Sequence, residues 1–161
     1  LVLKVTAASA EDPSMAPRTP TPTKRRLVIV SLVASLSLLT ACLGSAQSQV
    51  LSELNNDRTA LRLKALPTQA DAQRKAQAWA EKLARENKLY HSKLSDGIGV
   101  RWCSLGENVG YGPSVPAIQD AYMKSPGHKA NIVSTKWNGV GVGYAKNGNR
   151  VYTVQVFIKT C

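Results

Sequence analysis

The stretch Gly139-Val140-Gly141-Val142-Gly143-Tyr144 restricts the fold of this chain more than any other. Its alternation is that of a β-strand, and the glycines share one parity. One face of the strand therefore lacks side chains, and another element can approach it at backbone distance. Val151-Tyr152-Thr153-Val154-Gln155-Val156-Phe157-Ile158 alternates in the same manner, and Asn147-Gly148 between the two runs is a strong signal for a primed hairpin turn. The two runs are expected to pair antiparallel.

Upstream, the apolar spacing becomes helical. Val50, Leu51, Leu54, Arg58, Leu61 and Ala65 recur at three- and four-residue intervals, which predicts an amphipathic helix over Gln49–Leu66 ended by Pro67. Thr68-Gln69-Ala70-Asp71 offers an N-cap for a second helix reaching about Asn87, whose stripe Ala72, Ala76, Trp79, Ala80 and Leu83 permits close packing. A third helix is predicted over Val115–Lys124, capped by Ser114, with Ile118, Ala121 and Tyr122 turned inward and Pro126 as its stop. Leu89–Val100 has no sustained period and reads as a loop. Helices followed by a terminal hairpin predict an α+β domain in which helices cover a small antiparallel sheet.

The first forty residues do not fit such a domain. Residues 1–26 are rich in Pro, Thr, Ser and Ala and end in Lys24-Arg25-Arg26, and Leu27–Leu39 follows as an apolar run of 13 residues whose only polar members are serines. A transmembrane helix needs about 20 residues, whereas this shorter run with its basic flank suits a signal peptide. Leu39-Thr40-Ala41-Cys42 then resembles a bacterial lipobox, in which the cysteine is acylated and becomes the new N-terminus. The expected organisation is a leader over 1–41, a short linker over 42–48 and one domain over 49–161. Within the leader, 15–41 is the lipoprotein-type signal peptide counted from Met15, and 1–14 is open to reading as a gene-start error. An ordinary secretory signal cut nearby is the alternative. Either way the domain is exported, to the outer face of the cell membrane or beyond it.

The chain carries 21 Lys+Arg against 10 Asp+Glu, and removal of residues 1–41 leaves 16 against 8, a net charge of +8. Basic residues scattered over several elements favour an anionic membrane surface or cell-wall polymers as partners, by attraction that salt screens. A solvated basic surface with no dedicated partner is the plain alternative. Nucleic acid is not an expected partner of an exported chain, and nothing in the sequence fixes the oligomeric state. The odd number of cysteines resolves if Cys42 carries lipid and Cys103 pairs with Cys161 in an oxidising compartment, two free thiols being the alternative. Such a bridge would stabilise the fold by roughly 4 kcal/mol.

The only two histidines, His91 and His128, lie in Leu89-Tyr90-His91-Ser92 and Ser125-Pro126-Gly127-His128-Lys129-Ala130-Asn131, with Gly106-Glu107-Asn108-Val109-Gly110 between them. Two imidazoles and a carboxylate converging on one cleft could hold a divalent ion such as zinc, with His91, His128 and Glu107 as ligands and one coordination position open. Ser125 as N-cap and Pro126 at the first helical position would put His128 in the first turn of a short helix, where the dipole disfavours imidazolium. Without a metal, Glu107 would accept hydrogen bonds from both histidines and from backbone N–H groups, tying the cleft floor together. A Ser125–His128 nucleophile pair lacks an orienting acid beyond Glu107. Asn108 and Asn131 read as hydrogen-bonding residues that shape the segments bearing Glu107 and His128. Trp79, Trp102, Trp137 and Tyr122 read as core or cleft wall.

Taken in order, Leu54-Asn55-Asn56-Asp57-Arg58, Trp79-Ala80, His91-Ser92, Gly106-Glu107-Asn108-Val109-Gly110, Ser125-Pro126-Gly127-His128, Gly139-Val140-Gly141-Val142-Gly143 and Val154-Gln155-Val156-Phe157 resemble the CAP superfamily, also called SCP/PR-1-like, from about Leu51 to Ile158. The resemblance implies an α-β-α sandwich with a central cleft, an exported location and, in many members, two His and two acidic residues in that cleft. His91, His128 and Glu107 match three of them. Family proteins with all four often read Trp-x-x-Glu before the second histidine; here the stretch is Tyr122-Met123-Lys124-Ser125, so Ser125 stands where a carboxylate would.

The reading favoured by these residues is a lipid-anchored surface domain that binds a divalent metal, a lipid or sterol-like ligand, or a wall-associated partner. The rival is a metal-dependent hydrolase or peptidase with Glu107 as general base and a metal-activated water as nucleophile, Glu107 and His128 being the catalytic candidates. A third reading is a disulfide-fastened interaction module whose basic exterior, including Lys82, Arg85 and Lys88, matters more than its cleft.

Overall fold

The computed structural model describes residues 43–161, so the expected leader and Cys42 lie outside it. In chain order the elements are α1 (Ser45–Ala60), α2 (Ala70–Glu86), β1 (Trp102–Gly112), α3 (Val115–Lys124), α4 (Pro126–Val133), β2 (Gly139–Asn147) and β3 (Arg150–Thr160). The three strands form one antiparallel sheet in the order β1-β3-β2.

The period of two along β3 sorts the core into two layers. Tyr152, Val154, Val156 and Ile158 face α2, where they meet Ala72, Ala76, Ala80 and Leu83. Val151 and Phe157 face the other way, toward Val50 and Leu54 of α1, Ile118 and Tyr122 of α3, and Ile132 of α4. The expected α-β-α sandwich is therefore the observed one, with α2 alone on one face of the sheet.

The face of β2 that bears Gly141 and Gly143 lies against α2, and Ala145 continues it. A Cβ built on Gly141 would sit 2.0 Å from the carbonyl carbon of Ala72, and one on Gly143 would sit 2.0 Å from the Ala76 oxygen. This closeness lets α2 cover the free edge of β2. Gln73 donates to the Val142 carbonyl at 2.7 Å and accepts from its N–H at 2.9 Å, and Gln77 does the same for Tyr144 at 3.0 Å in both directions. Val140 is covered by backbone, accepting from Gln69 N–H at 2.9 Å and donating to Pro67 at 3.0 Å. An edge strand open to foreign pairing is thus sealed by the glutamines of one helix.

Several boundaries differ from the sequence reading. Ser45–Ser48, expected as linker, form the first turn of α1. That helix ends at Ala60 and not near Pro67, because Arg62 turns left-handed (φ 62°) and the side chain of Asn55 pins Leu66 through both its N–H (2.8 Å) and its carbonyl (3.1 Å). On α3, buried Gln119 replaces Ala121, which is exposed. Gly148 (φ 56°) takes the first central turn position between the closing pair Asn147 and Arg150, one residue later than expected, as a type II′ turn requires. β1 was not expected at all. Cys103 and Cys161 are bridged, with Cα atoms 5.1 Å apart and 58 residues between them, so free thiols are ruled out. The bridge fastens the end of the chain to the start of β1. Trp137 is buried and stacks on Phe157 at 5.7 Å, Trp79 is half-buried, but Trp102 is 40% exposed and lies outside the core.

Candidate functional site

His91 is placed by the loop that leaves α2. Asn87 closes the helix in the left-handed region (φ 50°), and the chain beyond it is tied back to the helix at three places. The Trp79 indole donates to the Tyr90 carbonyl at 3.0 Å and meets the Tyr90 ring edge-on at 5.1 Å. Lys75 donates to the carbonyls of Lys93 and Asp96 at 2.8 and 2.9 Å. Asp71 accepts from the N–H groups of Gly99 and Val100 at 2.9 and 2.8 Å; these backbone bonds, Val100's first, lower its pKa.

Glu107 sits on β1 with a side chain only 1% exposed, and it accepts three hydrogen bonds. His91 Nδ1 lies 2.8 Å from Oε1, the Ser92 N–H donates to the same oxygen at 2.9 Å, and the Ser92 hydroxyl donates to Oε2 at 2.6 Å. Since a carboxylate only accepts, His91 must carry its proton on Nδ1. In the neutral ring the lone pair is then on Nε2. Glu107 thus accepts from His91 and twice from Ser92, and not from His128.

His128 is the third residue of α4, and Ser125 is the N-cap. The Ser125 hydroxyl does not cap the backbone; it lies 2.8 Å from His128 Nδ1. The Tyr122 ring is 5.0 Å from the imidazole, and the Tyr122 hydroxyl, donating to the Thr153 carbonyl at 3.0 Å, is itself in the core, where burial raises its pKa. Burial, and then the charge of His91, lower the pKa of His128. His91 comes from the α2 layer and His128 from the opposite layer. Both segments are tied to β1, one of the two edge strands, His91 through Glu107 and the His128 backbone through Asn108.

Successive residues of β1 serve these two layers. Glu107 holds His91, while Asn108 points to the other face and donates to the His128 carbonyl at 3.1 Å and to Gln155 at 3.0 Å. Asn131 donates to Asn108 Oδ1 at 3.0 Å and to the Glu107 carbonyl at 3.3 Å. The chain of amides continues from Gln155 to Gln119 and from Gln119 to Asp57, each at 2.7 Å. Among the described residues no buried side-chain polar atom lacks a partner. The two asparagines thus brace the segments that carry Glu107 and His128.

The sequence reading counted Arg58 as one member of a helix face and missed its part here. It is 2% exposed, and its guanidinium donates to Lys64 (2.9 Å), Ile132 (2.6 Å) and Ser134 (2.9 Å) carbonyls. Burial lowers its pKa. It ties α1 to the C-terminal end of α4, the helix that carries His128. A charged residue at an apolar position of a helical stripe was the available signal.

Whether a divalent ion fits depends on the donors left open. Neither Nε2 of His91 nor that of His128 makes a hydrogen bond among the described residues, whereas Glu107 already accepts three. No set of three His, Cys, Asp or Glu side chains there is arranged to hold a metal ion. Two imidazoles alone suit an open, weakly held ion completed by water, with Glu107 and Ser125 as the groups that orient the ligands. No described helix is long and apolar enough to cross a membrane.

The profile of the CAP family, described as the cysteine-rich secretory protein family, matches residues 51–158. The chain is 25% identical to the YkwD protein of Bacillus subtilis over 161 residues, covering 94% of this chain and 60% of that protein, so it spans less than two thirds of that relative. An outer surface protein of Borrelia burgdorferi has the same fold, with a TM-score of 0.62 at 21% identity, over 71% of this chain and 92% of that one. So does an SCP-domain extracellular protein of Bacillus anthracis, with a TM-score of 0.62 at 21% identity over 71% and 40% of the two chains. A cysteine-rich secretory protein of Staphylococcus aureus matches with a TM-score of 0.62 at 19% identity, over 71% and 38%. With its matched profile, its two-layered core and the His91-Glu107 and Ser125-His128 pairs flanking β1, this chain belongs to the CAP, or cysteine-rich secretory protein, family.

Proposed function

We propose that this protein is an exported CAP-domain protein, held on the outer face of the cell membrane through an acylated Cys42, whose paired imidazoles bind a divalent ion such as zinc. The observation that carries the reading is the symmetry of the two rings: each is held through Nδ1, His91 by Glu107 and His128 by Ser125, leaving each Nε2 without a partner among the described residues. A ring fixed in tautomer and orientation by its other nitrogen is the usual state of a histidine ligand. The lowered pKa of His128 supports it, since a ligand must be neutral. When bound, the ion would supply Lewis acidity or a docking point for an anionic group, such as that of a lipid or a wall-associated ligand.

Binding is favoured over hydrolysis. The rival mechanism needs Glu107 as a general base, and three of the four acceptor positions of its carboxylate are already filled by His91 and Ser92. Export is supported by the apolar run before Cys42 and by the likeness to an outer surface protein of Borrelia burgdorferi and an extracellular protein of Bacillus anthracis.

Calorimetric titration with zinc chloride tests the site. One ion per chain is expected, with binding lost in His91→Ala and in His128→Ala. Absence of any heat of binding in the wild type would leave the imidazoles as parts of a hydrogen-bonded floor.

A further inference from the structure

The outward face of α2 carries Arg74, Lys75, Lys82 and Arg85, with Trp79 among them, and faces Lys93 across a groove of about 440 Å³. Five basic side chains and one acidic one, Asp96, line it. Some of this charge is matched nearby, as Arg74 pairs with Asp71, Lys93 with Asp96 at 3.4 Å and Lys82, more loosely, with Glu86 at 3.8 Å. Arg85 has no side-chain partner among the described residues, and Lys82 also lies over the Trp79 ring at 5.1 Å. Beside the groove are exposed apolar groups: Tyr90, packed edge-on against Trp79, is 37% exposed and Leu89 is 44% exposed.

A second observation fixes what this face meets. Leu43, the first described residue, lies in an adjoining hollow with Gln73, Arg74, Gln77 and Ala78 of α2, and Arg74 and Ala78 belong to the basic groove as well. The start of α1 is held there by Gln47, which donates to Gln77 at 2.6 Å. One peptide unit, about 3.8 Å between Cα atoms, separates Leu43 from Cys42. Leu43, the residue that follows Cys42 in the sequence, thus borders the basic groove.

We infer that the α2 face is the membrane-docking surface of the protein, with Arg74, Lys82, Arg85 and Lys93 against anionic phospholipid head groups and Tyr90 and Leu89 at the interface. A basic patch beside a lipid-bearing residue adds attraction to an anionic leaflet that falls off within a Debye length and sets which face the protein turns to it. Ser92, which holds Glu107, lines the same groove, so docking brings the His91 side of the site to the head-group layer. The inference rests on the anchor reading for the side on which the chain reaches the membrane. The chemistry of the face does not depend on acylation.

The test therefore uses non-acylated protein, the chain from residue 42 onward with Cys42→Ser, which contains both cores and every described element. Its binding is measured to vesicles of phosphatidylcholine containing phosphatidylglycerol, and to phosphatidylcholine alone. Binding to the anionic vesicles only, reduced by salt, is expected. Lys82→Gln and Arg85→Gln should each weaken it about fivefold and together about thirtyfold, while Lys124→Gln with Lys129→Gln, on the opposite layer, changes it less than about twofold. Equal losses from both pairs would overturn the assignment of the face. So would an absence of vesicle binding, or equal displacement by soluble polyphosphate of matched charge, which would make the groove a polymer site. The intact mass of protein extracted from its own cells reads acylation separately. An unmodified Cys42 with charge-selective vesicle binding would remove the anchor and leave the docking face standing.

Discussion

Gly141→Ala is the sharpest perturbation this fold offers. The new methyl group would sit 2.0 Å from the Ala72 carbonyl carbon and 2.1 Å from its oxygen, and both neighbours are backbone, so no side chain can rotate away. An ordinary carbon contact begins near 3.4 Å, which requires α2 to withdraw from β2 by about 1.4 Å. Overpacking of this kind costs about 1–3 kcal/mol. The withdrawal also stretches the four hydrogen bonds by which Gln73 and Gln77 cover the edge of β2, each worth about 1 kcal/mol. With partial loss of these, the expected destabilisation is about 3–5 kcal/mol, a large share of the stability of a typical domain. Because the loop bearing His91 is tied to α2, the imidazole pair should be disturbed as well, and zinc affinity should fall. Equilibrium urea unfolding measures the first effect. Gly127→Ala is the control, since a Cβ there meets nothing within 4 Å, and it should leave stability unchanged or slightly raised. A Gly141→Ala protein within about 1 kcal/mol of wild type would refute the claim that backbone contact between α2 and β2 organises the fold.

Three further outcomes are expected. Glu107→Gln, read by competition with a chromophoric chelator, should weaken zinc binding by about 10–100-fold, because the amide cannot hold the His91 ring as the carboxylate does. In chelator-treated protein the unfolded chain takes up a proton on His128 at higher pH than the fold does, because burial and then His91 lower its pKa in the fold. Its contribution is intact above about pH 6.5 and is lost as pH falls toward the depressed value, so urea midpoints should drop as the pH is taken below about 6.5, less steeply in His128→Gln. Arg58→Met should cost about 3 kcal/mol in urea unfolding, because it leaves the carbonyls of Lys64, Ile132 and Ser134 without their donor.

The hairpin and α3 were legible because their signals are local: alternation in Val151–Ile158, a turn dipeptide, a serine cap before Val115. The bare face of β2 was legible from three glycines of one parity, although its partner, the alanine stripe of α2, could be matched to it only in three dimensions. β1 escaped notice for a physical reason. Glu107, Asn108 and the glycines at 106, 110 and 112 are poor strand formers, and what holds them in the sheet is β3 alongside and the polar chains meeting them from both layers. Arg58 was hidden in the same way, since its three acceptors are carbonyls, two of them far along the chain. The motifs around His91, Glu107 and His128 stood out in the sequence, but the division of labour among their residues did not. That Glu107 orients His91 while Ser125 binds His128 depends on which side of β1 each segment returns to.

The most direct test of the imidazole pair is anomalous diffraction at the zinc edge from crystals grown with zinc. The account predicts a peak about 2.0–2.1 Å from Nε2 of both His91 and His128, with the Glu107 oxygens still bonded to His91 Nδ1 and Ser92. A peak on the Glu107 carboxylate, or none between the two rings, would contradict it.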